Sequence, residues 1–211
     1  MLLVDVDAIC KLAHWNILPL LPDITGRPWS ETGTVSSLIY RAKSAATKPD
    51  RKLFHTTDAA EIAIDALTRM ATSIGEPSAH ILESLITSNQ IDAGEAVLLA
   101  TIADQPNGVL LTGDKRALRA LAGHELAPIF AGRIMLIEHV IWLCLEMNGL
   151  DWTRANICPQ RGIDKAISVL FGYRCDARTD SVREGVESYL GEIKRLHNPS
   201  LLVDLPMQRG N

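Results

Sequence analysis

Two short apolar runs constrain this chain most, because each stops at an acid and passes straight into a helical pattern. Leu2-Leu3-Val4 ends at Asp5, and Val109-Leu110-Leu111-Thr112 reaches Asp114 two residues later. Uninterrupted apolar runs of this length suit strands buried on both faces, as in a parallel sheet. Residues 7–18 follow the first run with Ile9, Leu12, Ala13 and Ile17 at helical spacing. After the second run, Asp114 opens a helix expected to reach Ala122 and end at Gly123. A third apolar stretch at 134–137 reads as another strand, leading into a helix at 138–148. Strands alternating with helices predict an α/β fold with a central parallel sheet.

Between these anchors, Pro19, Pro22, Gly26 and Pro28 mark an irregular connection, and 34–46 reads as a short extended or helical piece. A basic loop (Lys48, Arg51, Lys52) leads to a helix from Asp58 to about Ile74, with Ile62, Leu67, Met70 and Ile74 as its expected buried face. Further helices are expected at 78–88 and 93–104. Residues 1–150 form the expected main domain, with 151–211 as a helical C-terminal extension packed on it. In that extension, Ser181 and Glu184 have capping-box spacing, and Val182, Val186, Tyr189, Ile193 and Leu196 mark one helical face.

Composition narrows the class. At 47% hydrophobic and 22% charged residues, the chain can bury a core without disulfide support. Cys10, Cys144, Cys158 and Cys175 lack zinc-ligand spacing and read as reduced thiols of a cytoplasmic protein. No basic lead or cleavage site precedes Leu2, so no signal peptide is expected, and Ile134–Met147 is too short and too charged to span a bilayer. A net charge of -4 argues against a protein that coats nucleic acid. It leaves room for an enzyme whose carboxylates await a metal.

The acids at the strand ends suggest chemistry. In an open parallel sheet, the ligand crevice lies at the carboxyl ends of the strands. Asp5 and Asp114 can converge there, and Glu95 can join them from the first turn of helix 93–104. Mg²⁺ and Mn²⁺ favour such hard oxygen donors and can activate water for phosphodiester hydrolysis. Each acid also has a plain structural reading. Asp114 suits a helix N-cap, Asp92 and Glu95 have capping-box spacing, and Asp5 could end a strand facing solvent.

At this point the chain resembles the PIN-domain nucleases. LLVDVDAICKLAHWNILPLL is similar to the opening strand, acid and first helix of one PIN-like branch. IDAGEAVLLATIADQPNGVLLTGDKRAL is similar to the acid-bearing helix, following strand and second acid, through Gly94-Glu95-Ala96 and Thr112-Gly113-Asp114. The resemblance covers about 50 of the 211 residues. It implies a three-layer PIN-like fold, with Asp5, Glu95 and Asp114 as catalytic metal-binding acids for Mg²⁺ or Mn²⁺ and Thr112 as a hydroxyl contact beside them. It also implies nuclease activity on RNA, and an inhibitory antitoxin-like partner that the C-terminal helices could meet. A homodimer is the expected self-assembly, and no membrane partner is expected.

The chain departs from that pattern twice. Asp7 stands where a small polar residue is usual, and is either a further ligand or the N-cap of helix 7–18. In TVSSLIYRAK, Arg41 stands where the family's middle acid would be expected. Glu61 is the best substitute, although Asp58 and Glu61 also have capping-box spacing. Lys115 and Arg116 are the cations best placed to meet a substrate phosphate, while Arg41, Lys43, Lys48, Arg51 and Lys52 form either a backbone-binding rim or a solvated loop.

Two other functions compete. Asp5-Val6-Asp7 after an apolar strand resembles the nucleophile and general acid of haloacid-dehalogenase-type phosphatases, but Ala8-Ile9 continues that motif poorly and no second acid follows Asp114 within the late motif. The missing middle acid points instead to a non-catalytic PIN-like binding module. The six scattered histidines, Trp142 and Trp152 suggest no chemistry.

Overall fold

Direct pairing of the two acid-terminated runs sets the architecture. β1 (Leu2–Val4) lies parallel to β3 (Val109–Thr112), with Leu2 opposite Val109 and Val4 opposite Leu111. β4 (Ile134–Leu136) pairs with the far side of β3, and the two-residue β2 (Thr32–Gly33) with the far side of β1. The four-stranded sheet has the order β2-β1-β3-β4 and every pair is parallel. Successive strand residues face opposite sides of a sheet. Because Leu2, Leu3 and Val4 are all buried, both faces are covered. The protein is therefore α/β, compatible with a three-layer arrangement. The computed structural model describes residues 1–50, 52–71 and 74–205. Arg51 of the basic stretch lies outside them.

The first helix begins earlier than its periodicity suggests. α1 (Val6–His14) has Asp5 as its N-cap, so Asp7 sits in its first turn and is not the cap. Pro19 and Pro22 then occupy early positions of a 3₁₀ turn at Leu18–Leu20 and of α2 (Leu21–Thr25). The stretch expected to be irregular is thus helical in pieces, because proline suits the first turn of a helix. α3 (Leu38–Thr47) leads to α4 (Thr57–Arg69), which is capped by Thr56 rather than by an Asp58–Glu61 box. α4 ends at Arg69, short of the expected Ile74. Its buried face is Ala59, Ala60, Ala63 and Ala66, while Ile62 and Leu67 are only half-buried. Small side chains let α4 lie close against α1 and α3, a contact that a search for large apolar residues overlooks.

α5 (Ala79–Ile86), α6 (Ala93–Ala103) and α7 (Lys115–Ala122) follow the expected pattern closely. α8 (Ile137–Ile157) runs through the expected boundary at residue 150 and kinks at Gly149, where φ is +77°. Beyond it come α9 (Lys165–Leu170) and α10 (Thr179–Lys194). The N-cap of α10 is Arg178, so Ser181 lies inside the first turn and the expected Ser181–Glu184 box does not form. Val182, Val186, Leu190 and Ile193 face the core, Tyr189 is half-buried, and Leu196 falls beyond the helix.

The C-terminal segment returns to the sheet. Leu202 forms a parallel bridge with Ile134, and Val203 N–H donates to Ile134 O at 2.9 Å. His139 locks this closure. Its Nδ1 accepts from Leu136 N at 2.9 Å, so Nε2 carries the proton and donates to Val203 O at 3.2 Å. Burial pushes its pKa down to about 4, keeping the ring neutral.

The cysteines divide into two classes, correcting the expectation of four reduced thiols. Cys158 and Cys175 are disulfide-bonded, with Cα atoms 6.2 Å apart. Sequence spacing could not reveal this pair, because the turns around α9 bring it together. Cys10 and Cys144 are free, and burial pushes both thiols up to about 12. No described helix is long and apolar enough to cross a membrane.

Candidate acidic cleft

A cleft of about 680 Å³ opens at the carboxyl ends of β1 and β3. Asp5, Asp7, Asp92, Glu95 and Asp114 line it together with Lys11, Arg41 and Lys115. The three acids singled out at the strand and helix ends thus reach one place. Asp5 and Asp114 are N-caps of α1 and α7, and Glu95 closes the capping box of α6, so the capping roles hold alongside any chemistry.

Asp5 is buried at the β1–α1 junction. Its Oδ1 accepts from Val6 N at 2.7 Å, and its Oδ2 faces the Thr112 hydroxyl at 3.4 Å. Thr112 Oγ1 also accepts from Asp114 N at 3.1 Å. That hydroxyl therefore ties together the acids at the ends of β1 and β3. Asp114 caps α7 through Oδ1, which accepts from Arg116 N and Ala117 N at 2.7 and 3.0 Å. Between Thr112 and Asp114, Gly113 leaves room for the first helix. A Cβ there would lie 3.0 Å from Asp7 Oδ2 and 3.2 Å from Lys11 Nζ.

Glu95 is buried like Asp5, whereas Asp114 is half-buried. It forms a full capping box with Asp92: Glu95 Oε2 accepts from Asp92 N, and Asp92 Oδ1 accepts from Glu95 N, each at 2.8 Å. Its other oxygen makes no hydrogen bond among the described residues. Burial and then the neighbouring charges of Asp114, Asp92 and Asp5 hold Glu95 well above the usual carboxylate range, against the lowering effect of the Asp92 N–H. Burial, followed by the charge of Asp7, likewise raises Asp5 to about 6. Among the described residues, neither Asp5 nor Glu95 has a lysine or arginine within ion-pair distance.

The cations are placed differently from expectation. Lys11 bridges Asp7 at 2.6 Å and Asp164 at 2.7 Å. Burial lowers its pKa, but those two carboxylates outweigh it and the net shift is upward. Lys115 reaches away to the buried Glu138 at 2.5 Å and stacks over the Tyr189 ring at 4.1 Å. Arg116 is largely exposed, pairs with Asp114 at 3.2 Å and is not part of the cleft wall. Glu61 is exposed on α4 and also lies outside the wall. Arg41, at the place where a middle acid was sought, does line the cleft.

Lys11, Asp164 and Glu138 escaped the sequence reading. The i,i+4 spacing of Asp7 and Lys11 could have suggested their pair. No local signal could have joined Lys11 to Asp164 or Lys115 to Glu138. Among the described residues, no three acids, histidines or cysteines are gathered as the ligands of one metal ion. Comparison with known protein families, curated proteins and solved structures finds no match to this chain.

Proposed function

We propose that the protein is a Mg²⁺- or Mn²⁺-dependent nuclease of PIN-like type acting on RNA. One observation carries this reading. Asp5 and Glu95 are buried carboxylates without a protein counter-charge, and both open onto one cleft with Asp114. Ionised carboxylates buried without a counter-charge are costly, and a divalent cation in the cleft would offset that cost.

The donor set fits such an ion. Mg²⁺ commonly binds one or two carboxylates and completes its shell with waters and substrate phosphate oxygens. Asp5 and Glu95 would supply the carboxylates, so three gathered protein ligands are not required. When bound, the ion would supply an activated water and stabilise developing negative charge.

The chain's own groups do the rest. Val6 N–H and the Thr112 hydroxyl orient Asp5. The Asp92 N–H fixes one oxygen of Glu95 and leaves the other open. Asp114 is held rigidly by the start of α7 and adds negative potential at the cleft mouth. The inhibitory partner implied by the family resemblance, and the expected homodimer and cytoplasmic location, belong to this same proposal.

A second reading has its own support. Arg41 brings a positive charge where the PIN-like pattern would place an acid, which favours a binding module without catalysis. Incubating the protein with labelled RNA, single-stranded DNA, duplexes and a phosphomonoester, in Mn²⁺, Mg²⁺ or EDTA, separates the readings. Asp114→Asn and Glu95→Gln are suitable controls, because Asn still caps helices and Gln still completes a capping box. Metal-dependent RNA cleavage lost in both variants is the expected result. Phosphomonoester turnover would favour the phosphatase, and oligonucleotide binding without cleavage the binding module.

A further inference from the structure

Among the described residues, three cations line the cleft, and two are already committed. Lys11 is held between Asp7 and Asp164, and Lys115 between Glu138 and the Tyr189 ring. Arg41 is the exception: it is exposed, lines the cleft, and makes no ion pair among the described residues. Ser37 and Arg41, one helical turn apart on α3, both contribute to the cleft wall. Next to Arg41 in the chain, Tyr40 is 73% exposed. Lys43 and Lys48 are exposed on the same helix and at its end.

A guanidinium without an ion pair, on the wall of a cleft that also holds buried carboxylates, can bind a phosphate in a bidentate manner without first breaking an internal salt bridge. A neighbouring exposed aromatic ring offers a stacking face for an unpaired base. We propose that α3 is the substrate-binding element, with Arg41 as the phosphate anchor at the cleft and Tyr40 as the stacking contact for an adjoining base. This inference rests on the nuclease reading. It moves the substrate phosphate contact away from Lys115 and Arg116, whose charges are taken by Glu138 and Asp114.

The test is binding without turnover. Fluorescence anisotropy of a labelled 12-nucleotide single-stranded RNA is followed against salt concentration in EDTA, for wild type, Arg41→Ala, Arg41→Lys and Tyr40→Ala. Both side chains are exposed, and thermal melting checks that each variant is folded. Arg41→Ala should weaken binding about tenfold and reduce the slope of log affinity against log salt by about 0.7, the value of one phosphate contact on a single strand. Arg41→Lys should keep the slope while losing part of the affinity. Tyr40→Ala should weaken binding about fivefold or more with an unchanged slope, because stacking carries no counterion release. If wild type binds and Arg41→Ala matches it in affinity and slope, the anchor assignment is overturned while the nuclease reading stands. If wild type binds no oligonucleotide in EDTA, the anchor assignment is overturned, while the nuclease reading is decided separately by metal-dependent cleavage.

Discussion

Lys11 Nζ lies 2.7 Å from the carboxylate of Asp164, joining the first helix of the sheet domain to the N-cap of α9. Lys115 makes a parallel connection, resting on the Tyr189 ring of α10. Two walls of the acidic cleft are thus held in place by the C-terminal helices. The extension therefore braces the site, whatever else it contacts.

The Lys11–Asp164 pair should be worth more than a surface salt bridge. Both side chains are mostly buried, and Asp164 Oδ1 also accepts from Ala166 N and Ile167 N. Burial raises the Asp164 pKa, but Lys11 and those N–H groups outweigh it and hold the carboxyl below its ordinary value. Its stabilising effect is therefore present above the unfolded pKa and is lost as pH falls through the folded one. Asp164→Ala should cost about 2 kcal/mol, since it leaves the buried Lys11 ammonium with Asp7 as its one carboxylate partner and removes a cap. Asp164→Asn keeps the cap and should cost about 1 kcal/mol less. Urea denaturation at pH 7 measures both, and a loss in Asp164→Ala below about 0.5 kcal/mol would leave the pair without energetic importance.

The disulfide predicts a thiol count. Alkylation of the unfolded, unreduced protein should label Cys10 and Cys144 alone, and reduction should expose Cys158 and Cys175 as well. The bridge spans 17 residues around α9, so its loss should lower stability by about 3 kcal/mol. Mass spectrometry after alkylation reads the first outcome, and melting of Cys158→Ser with Cys175→Ser reads the second. Four labelled thiols without reduction would contradict the pairing.

What the chain revealed in advance follows from how locally each feature is encoded. β1, β3 and the starts of α6 and α7 were legible because apolar runs and capping residues act over a few positions. Asp5, Glu95 and Asp114 were legible for the same reason. β2 was not, since Thr32-Gly33 is too short to show a period and exists only by pairing with β1. The alanine face of α4 was hidden because burial there depends on close helix approach rather than on large side chains. The Lys11–Asp164 and Lys115–Glu138 pairs, and the disulfide, depend on tertiary folding rather than on local sequence. The place of Arg41 is half visible in the sequence: the position stands out as lacking an acid, whereas its lack of an ion pair among the described residues depends on the fold.

His139 predicts an acid-sensitive closure of the C-terminal segment. Its folded pKa of about 4 lies below the ordinary 6.5, so the unfolded chain binds the extra proton between those values. Its contribution is complete above pH 6.5 and is lost as pH falls towards 4, amounting to about 3 kcal/mol for a shift of this size. His14, also lowered by burial, acts in the same direction. Asp5 and Glu95, both raised, act in the opposite one. The comparison must therefore be wild type against His139→Gln by denaturation from pH 4 to 7.5. The variant should be less stable at neutral pH and should lose less on acidification; equal slopes would remove His139 from the acid response.

Glu95→Gln offers the sharpest test of the cleft, because it predicts opposite effects with and without metal. Ionising Glu95 is unfavourable in the folded chain, so it weakens stability progressively as pH rises past 4.5. Gln keeps the N3 side of the capping box with Asp92 but carries no charge. Without metal, the variant should therefore melt higher than wild type, increasingly so towards pH 8.5. With Mn²⁺ the order should reverse. A cation requires the ionised carboxylates, so the Mn²⁺-induced rise in wild-type melting temperature should grow as pH climbs through the Asp5 value of about 6 and beyond, reaching several degrees at saturating metal. Glu95→Gln should lose most of that rise. Melting curves at pH 5.5, 7 and 8.5, with Mn²⁺ and with EDTA, measure all of these effects together. A variant stabilised in EDTA but unaffected in its Mn²⁺ response would mean that Glu95 is a strained capping residue and that any ion is held elsewhere.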